Sequence, residues 1–210
     1  MSLAKKCGLN VPALDKAHVL SRDVFLIQRF DRLYNTETQI EEPIPFISAL
    51  TATGVHESDF RSFSYRRLCD AITKLSKDHK KDKEELFKRM VFNILVYNND
   101  DHYRNHGFLY VGSQKWQLAP LYDVVPATVV GEDRHLGCAI GPGGNKEANL
   151  KNALSACIYF DLDPTLARQI IMKLQNVVKH WQANFVEYGI SEINIEMLKN
   201  SIGQEAETKI

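Results

Sequence analysis

The densest group of chemically reactive side chains in the sequence lies between residues 97 and 108. It contains two carboxylates, two imidazoles, three amides and one guanidinium, and these groups include Asp100, Asp101, His102, Asn105 and His106. This polar segment directly follows the apolar run 90–96, which is typical of a helix in a protein core. A core helix that ends in so many polar groups predicts a functional site at its carboxyl end.

A further carboxylate, Asp123, lies eighteen positions after Asn105. Phosphoryl transfer needs a divalent cation beside the phosphates and a separate carboxylate that accepts the proton of the attacking hydroxyl. Asn105 and Asp123 suit the cation, because magnesium binds amide and carboxylate oxygens and keeps several waters. Asp100 suits the proton. His102 lies two positions after Asp100, and we expect it to orient that carboxylate.

Two elements must position these groups. Residues 86–95 predict a helix that is apolar on most sides, and it delivers the polar segment at its end. Residues 108–118 predict a β-hairpin with a glycine-containing loop at Gly112. The hairpin would return the chain so that Asp123 can face Asn105.

The remaining elements follow from periodicity and from turn residues. We expect a hairpin over residues 17–27 with its turn at 21–23, a surface loop over 35–62 and a helix over 65–75 capped by Ser64. A charged linker is expected over 77–85, and a short strand over 135–140. The last expected elements are helices over 150–158, 164–188 and 191–202, the second beginning at Pro164.

Composition limits the class of protein. The 210 residues and 44% apolar content allow one large domain or two small ones with a sizeable core. Twenty-six basic and 26 acidic residues give no net charge, which argues against direct nucleic-acid binding. No run approaches ~20 apolar residues and no signal pattern begins the chain, so we expect a cytoplasmic protein without a membrane span. The four cysteines form no Cys-x-x-Cys, which predicts free thiols.

Two motifs carry a family resemblance. The pattern Asp-x-His-x-x-Asn at 100–105, followed by Leu-x-Pro-x-Tyr-Asp at 118–123, resembles the HipA family of bacterial toxin kinases. Residues 3–12 and 28–32 resemble two further stretches of that family, in the same order. The resemblance implies a protein-kinase-like α+β fold that is predominantly α-helical, with small β-hairpins. Residues 1–32 would be the end of the N-terminal lobe with a hinge-like segment, and 33–210 the helical C-terminal lobe.

The resemblance also implies a reaction and its site residues. A HipA-like kinase transfers the γ-phosphate of ATP, with Mg²⁺, to a serine of a protein substrate of the aminoacyl-tRNA synthetase class. Its partner would be a HipB-like helix-turn-helix antitoxin that binds operator DNA. By position, Asp100 would be the catalytic base assisted by His102, and Asn105 and Asp123 the metal ligands.

The nucleotide contacts follow from the hinge-like segment. Gln28 and Phe30 would meet adenine through their backbone groups, with Asp31 beside them. From the residues alone, Arg29, Asp31 and Arg32 could pair with one another or with a ligand phosphate.

One departure from the family keeps other functions open. No Gly-x-Gly-x-x-Gly occurs in the sequence, and the family's phosphate loop and lysine lie before the segment that matches Leu3. We therefore expect a catalytically poor chain, either a piece of a longer kinase or a non-catalytic half of a split one. A metal-dependent phosphohydrolase is the other alternative, with two metals held by Asp100, Asp101, His102, His106 and Asp123.

Overall fold

The computed structural model describes residues 1–20, 22–128, 131 and 134–210. The described residues form helices and small antiparallel sheets. The helices are α1 (Ser2–Lys6), α2 (Ala49–Thr53), α3 (Tyr65–Leu75), α4 (His79–Val96), α5 (Leu150–Ser155), α6 (Pro164–Val178), α7 (Trp181–Glu187) and α8 (Glu192–Leu198). Short 3₁₀ helices span Glu57–Ser62, Tyr103–Asn105, Pro142–Gly144 and Cys157–Phe160.

The strands pair in three groups. Strands β1 (Leu14–Val19) and β2 (Arg22–Ile27) form one hairpin, and β3 (Arg32–Asn35) and β4 (Ile40–Pro43) form another. Strands β5 (Phe46–Ser48), β6 (Gly107–Tyr110) and β7 (Trp116–Leu118) form a three-stranded sheet with β6 in the centre. The predicted hairpin around Gly112 is therefore confirmed.

Helix α4 runs through the centre of the structure, as its sequence predicted. It begins at the N-cap Asp78, whose side chain accepts from the Lys81 N–H at 3.2 Å. Its second half is buried on all sides and packs against α3 and α6. The helix ends at Tyr97, which adopts a left-handed backbone with φ of 52°. This ending turns the chain out of the helix at the start of the polar segment.

Several element boundaries predicted from the sequence were wrong, because they depend on contacts between distant residues or on turns without a clear sequence signal. The loop expected over 35–62 contains part of the β3–β4 hairpin, β5, α2 and a 3₁₀ helix. Its prolines act as expected, because no helix forms at Pro43, the last residue of β4, or at Pro45, between β4 and β5. The linker expected over 77–85 is mostly the first turns of α4. There Lys83 is buried against Asp161 at 2.7 Å, and Asp82 accepts from Ser76 and from the Leu118 N–H.

Other differences are smaller. No strand forms over 135–140, where only two isolated bridges occur, His135 with Glu147 and Ala139 with Ser64. The helix expected over 164–188 breaks after Val178, and the helices expected to reach residues 158 and 202 end at Ser155 and Leu198. The expected hairpin forms as β1–β2, but the turn expected at 21–23 is placed wrongly: Arg22 and Asp23 are the first residues of β2, and Ser21 lies outside the described residues. The division of the chain after residue 32 remains a prediction.

Helix α3 and the ends of other elements agree with their local signals. Ser64 caps α3 by accepting from the Arg67 N–H, and Asp163 caps α6 by accepting from Thr165 and Leu166. Gly8, just past α1, has φ of 77°, a conformation that favours glycine. The four cysteines are buried with free thiols. None of the helices in the described ranges is both long and apolar enough to cross a membrane.

A buried arginine joins α4 to the segment that leads to Asp123. Arg89 is 1% exposed; its Nη2 donates to the Ala119 carbonyl at 2.8 Å and its Nε to Glu85 at 3.0 Å. Glu85 also accepts from the Asn10 N–H at 3.0 Å. Burial lowers the pKa of Arg89 and the Glu85 charge opposes that shift. The pair therefore fixes residues 10 and 119 to one turn of α4.

Replacing Arg89 with Met is expected to lower the free energy of unfolding by about 3–5 kcal/mol, because a buried ion pair loses one partner. The matched control is Lys88→Met, which breaks the more exposed pair of Lys88 with Glu84 and should cost about 0.3–0.5 kcal/mol. Urea unfolding monitored by circular dichroism measures both. Equal losses would contradict a special contribution from Arg89.

Candidate active site

The polar segment forms a loop at the end of α4, which we call the site loop (residues 97–106). The Asn98 N–H donates to the Asn93 carbonyl at 2.9 Å, so the loop leaves the helix in a fixed direction. The Asn98 side chain also donates to the Asn93 amide oxygen at 3.2 Å. The loop closes with the 3₁₀ helix Tyr103–Asn105 and continues into β6.

The two successive aspartates of the site loop face opposite environments. The Asp100 side chain is 79% exposed, whereas that of Asp101 is 1% exposed. Asp101 Oδ1 lies 2.8 Å from His106 Nε2, and its Oδ2 accepts from the Tyr65 hydroxyl. Asp100 is therefore available to a ligand, and Asp101 is enclosed by the protein.

Asn105 is joined directly to the loop beside Asp100. Its Nδ2 donates to the Asp100 carbonyl at 2.9 Å. No hydrogen bond in the described part of the chain uses its Oδ1, so the amide oxygen remains available to a cation. The structure thus brings together the proposed base and one proposed metal ligand.

Asp123 follows a segment that packs against the site loop. The Ala119 N–H donates to the Gly107 carbonyl at 2.8 Å, and the Tyr122 hydroxyl donates to the Arg104 carbonyl at 2.7 Å. Asp123 itself is exposed and has φ of 54°, a left-handed conformation that aspartate tolerates better than most residues. Among the described residues no hydrogen bond joins Asp123 to Asn105.

The pKa of the Tyr122 hydroxyl depends on burial and on the neighbouring Asp123 carboxylate. Burial is the main cause that raises the pKa of the Tyr122 hydroxyl to about 12, and the Asp123 carboxylate also raises it. Tyr122 therefore stays a neutral hydrogen-bond donor to the site loop. This donor holds the residue next to Asp123 against the carbonyl next to Asn105.

The hinge-like residues reach the same region through aromatic packing. The Phe30 ring lies 5.6 Å from that of Tyr122 and 5.9 Å from that of Phe46, between centroids. The Gln28 N–H is used, because it donates to the Ala13 carbonyl at 2.9 Å. In the described part of the chain no hydrogen bond uses the Phe30 N–H. Phe30 thus offers a free backbone donor close to the Asp123 segment.

The Asp31 side chain is occupied by its neighbours. Its carboxylate accepts from Arg29 Nε and Nη2 at 2.9 and 2.6 Å, and from Arg32 at 3.0 Å. The hydrogen bond from Arg29 is the main cause that lowers the pKa of Asp31. The sequence left open whether Arg29, Asp31 and Arg32 pair with one another or with a ligand phosphate. The structure shows that they pair with one another.

His102 lies beside Asp100 without a hydrogen bond to it. Its Nε2 is 3.7 Å from Asp100 Oδ1, which allows an ion pair if the imidazole is protonated but exceeds hydrogen-bond length. Its Nδ1 is buried and has no hydrogen-bond partner. The ring is therefore close enough to influence Asp100 through charge.

The segment at residues 135–140 covers the buried side of the site loop. A Cβ added to Gly137 would lie 2.5 Å from the Asp101 carbonyl oxygen and 3.4 Å from that of Asn99. Lys146 donates to the Gly137 carbonyl at 2.7 Å, which holds the segment in place. Only a residue without a side chain allows this approach of two backbones.

Sequence reasoning missed the residues that support the site from below. These are Tyr65, Asn93 and Gly137, none of which belongs to the motifs. A signal was present for Asn93, because it is the one polar residue in the apolar run 90–96. Nothing local distinguished Tyr65 or Gly137, whose partners are distant in sequence.

The site residues of the phosphohydrolase alternative do not form one cluster. Asp101 and His106 are buried and bonded to each other, while Asp100 and Asp123 are exposed. The ligand atoms of Asp101, His106 and Cys138 do lie within 4.8 Å of one another. However, both carboxylate oxygens of Asp101 already have protein partners, His106 and Tyr65.

Solved structures with this fold include two from bacteria. HipA of Shewanella oneidensis, solved with HipB and operator DNA, matches with a TM-score of 0.76 at 18% identity, over 95% of this chain and 51% of HipA. The proinflammatory kinase CtkA of Helicobacter pylori matches with a TM-score of 0.59 at 17% identity, over 98% of this chain and 82% of CtkA. The protein therefore has a kinase-like fold, and the predicted fold class is confirmed.

The chain belongs to the family of HipA-like C-terminal domains, whose pattern matches residues 1–181. A Haemophilus influenzae protein named "Putative kinase" is 28% identical over 134 residues, which are 60% of this chain and 38% of that protein. The chain thus spans about half the length of HipA and less of the curated relative. These findings confirm the predicted family and support a kinase-like function in general.

Replacing Gly137 with Ala is expected to displace the site loop, because the new Cβ meets the Asp101 carbonyl. We expect a loss of about 1–3 kcal/mol in the free energy of unfolding, with faster amide hydrogen exchange confined to residues 98–106. The control is Gly112→Ala, which has a strained φ of 86° but open space around its Cβ. Unchanged exchange in the site loop of Gly137→Ala would contradict the close approach.

Proposed function

We propose that this chain is the C-terminal catalytic region of a HipA-like kinase that transfers the γ-phosphate of ATP to a serine of a protein. One observation carries the proposal. An exposed carboxylate, Asp100, is tied by a backbone hydrogen bond to an amide, Asn105, whose oxygen is free, and the segment before Asp123 is bonded to the same loop. This is the set of groups that phosphoryl transfer requires.

Different residues accept the proton and bind the metal. Asp100 accepts the proton of the attacking hydroxyl, because it is the solvent-exposed carboxylate of the site loop. Asn105 Oδ1 and the Asp123 carboxylate hold Mg²⁺, since both are oxygen ligands without a competing partner among the described residues. The cation, when bound with ATP, neutralises charge on the phosphates. His102, 3.7 Å from Asp100, orients that carboxylate.

The adenine side of the nucleotide meets residues 28–31. The free N–H of Phe30 is the proposed donor, and Gln28 contributes its place in the backbone. Asp31 contributes indirectly, by holding Arg29 and Arg32 and so fixing the turn after β2. This assignment makes backbone position more important than side-chain identity.

The substrate class and the partner are proposed by family. We assign a protein substrate of the aminoacyl-tRNA synthetase class, which also implies a cytoplasmic location. A HipB-like antitoxin is the proposed partner, because the similar HipA was solved with HipB. The zero net charge of this chain supports DNA contact through such a partner rather than directly.

A second candidate function, a non-catalytic half of a split kinase, is favoured by one feature. The β1–β2 and β3–β4 hairpins expose large apolar side chains: Val19, Leu20, Phe25, Leu26, Leu33, Tyr34 and Ile40. Exposed apolar groups at this density are typical of a surface that another lobe covers. In that case the chain would bind nucleotide only together with the lobe that supplies the phosphate loop.

Magnesium-dependent ATP binding tests the proposed metal ligands. We expect calorimetry to detect Mg²⁺-dependent binding, and Asp123→Asn to weaken it at least tenfold because a charged ligand is lost. The control is Asp70→Asn, which changes an exposed aspartate of α3 and should leave binding unchanged. Binding that is equally strong in Asp123→Asn would contradict the metal role. No binding by the unmodified chain would favour the split alternative.

Asp100→Asn should separate binding from transfer. The expected result is a ~10²–10⁴-fold slower transfer of labelled γ-phosphate to purified aminoacyl-tRNA synthetases, because a proton acceptor is lost. The dissociation constant of Mg²⁺·ATP should change less than threefold. Equal losses of binding and transfer would contradict this division of roles. The comparison requires a sample of the protein that transfers phosphate before substitution.

A further inference from the structure

Beneath the exposed Asp100 lies a buried polar group that no catalytic step above uses. It consists of Tyr65 on α3, Asn93 on α4, and Asp101 and His106 at the two ends of a six-residue stretch of the site loop; we call it the anchor cluster. Asp101, His106 and Asn93 are each 1% exposed, and Tyr65 is fully buried. Hydrogen bonds join the four side chains in a chain from Asn93 through Tyr65 and Asp101 to His106, while His106 Nδ1 has no partner among the described residues. A connected network of this kind in a buried environment restricts the geometry of its members.

The geometry points to a positioning role. We propose that the anchor cluster holds Asp100 and Asn105 at the separation that phosphoryl transfer needs, with Asp101 and His106 acting as positioning residues. This inference rests on the proposed function of Asp100 and Asn105. It assigns the second aspartate and the second histidine of the motif to structure beneath the site, and not to metal binding.

Two hydrogen bonds close the same part of the loop. The Asp101 and His106 side chains meet at 2.8 Å, and one residue earlier in the chain Asn105 Nδ2 donates to the Asp100 carbonyl at 2.9 Å. Both bonds have the same span and close the stretch that contains the 3₁₀ helix Tyr103–Asn105. The Asp101–His106 bond therefore restrains the same turn from which Asn105 presents its free oxygen.

The cluster also ties the loop to three separate elements. The Tyr65 hydroxyl comes from α3, and it accepts from Asn93 Nδ2 of α4 at 3.3 Å. The His106 carbonyl accepts from the Ala49 N–H, at the start of α2, at 2.9 Å. A loop with these anchors cannot shift as a unit without breaking bonds in the protein core.

Both carboxylate oxygens of Asp101 already have a partner within the protein. One carboxylate oxygen binds His106 and the other accepts from Tyr65. Burial, followed by the Asp101 charge, raises the pKa of the Tyr65 hydroxyl well above its usual value, which keeps the proton on the donor. The T-shaped packing of Tyr65 on the His106 ring, at 5.9 Å, keeps both rings in place.

Positioning of this kind has a large effect on rate. A misplacement of about 1 Å at a reacting group can cost about 100-fold in rate. Removing one of the groups that donate a hydrogen bond to Asp101 should therefore slow phosphoryl transfer without deleting any group that contacts the substrate. The mild change is Tyr65→Phe, which keeps the ring and its packing; Asp101→Asn is the stronger change and carries a greater risk of misfolding.

The test measures site-loop order and phosphoryl transfer in the same samples. For Tyr65→Phe we expect faster amide hydrogen exchange confined to residues 98–106 and transfer slowed by about 10- to 100-fold. The control is Gln175→Leu, which removes two buried hydrogen bonds, to the Glu205 and Thr208 carbonyls. At an equal loss of stability, this control should leave both site-loop exchange and transfer unchanged.

The outcomes separate this inference from the proposed function. Unchanged exchange and unchanged transfer in Tyr65→Phe would overturn the positioning role, while the kinase function would stand. Faster site-loop exchange with unchanged transfer in Tyr65→Phe would also overturn the positioning role. If a sample that contains the lobe with the phosphate loop transfers no phosphate even before substitution, the proposed function is overturned instead, whatever the exchange of the site loop. Stoichiometric Zn²⁺ binding that Cys138→Ser abolishes would overturn the inference, because Asp101 and His106 would then be metal ligands.

Discussion

The Asp101 carboxylate is a charge enclosed by protein, and the rest of the site depends on how that charge is accommodated. A buried carboxylate is tolerated only when hydrogen bonds replace the water that it loses. Tyr65 and His106 provide those bonds, and both come from parts of the chain that are held by the core. Because Asp101 must face inward, its neighbour Asp100 is turned to solvent, where a substrate hydroxyl can reach it.

A second buried charge, that of Arg89, holds the other half of the site, which is the segment that leads to Asp123. Arg89 binds the Ala119 carbonyl from the middle of α4, and the chain then runs four residues to Asp123. Tyr122 joins this segment to the site loop, and Phe30 packs on Tyr122 from the hinge-like turn. Helix α4 thus carries Arg89 along its length and ends at the site loop that Asp101 holds. This explains why a mostly buried helix precedes the exposed site residues.

Local signals predicted the elements that local forces decide. The Ser64 cap of α3, the hairpin around Gly112 and the apolar α4 were read correctly, and the motifs identified the HipA-like family. The β3–β4 hairpin was missed because its turn carries no glycine, and Gln39 supplies the left-handed residue. The charged stretch 77–85 was interpreted as a linker or a solvated helix start; it does begin α4, but Lys83 is buried by a partner 78 positions away, which the sequence did not show. Adjacent aspartates could not be told apart for the same reason, since the burial of Asp101 depends on Tyr65.

In the proposed site Asn105 and Asp123 hold the cation, whereas Asp101 and His106 do not. Anomalous diffraction from crystals grown with Mn²⁺ and a non-hydrolysable ATP analogue distinguishes the two places, because it locates the metal itself. We expect a peak within coordination distance of Asn105 Oδ1 and the Asp123 carboxylate, with the Asp101–His106 hydrogen bond intact. A peak among Asp101, His106 and Cys138, with that hydrogen bond broken, would contradict this assignment.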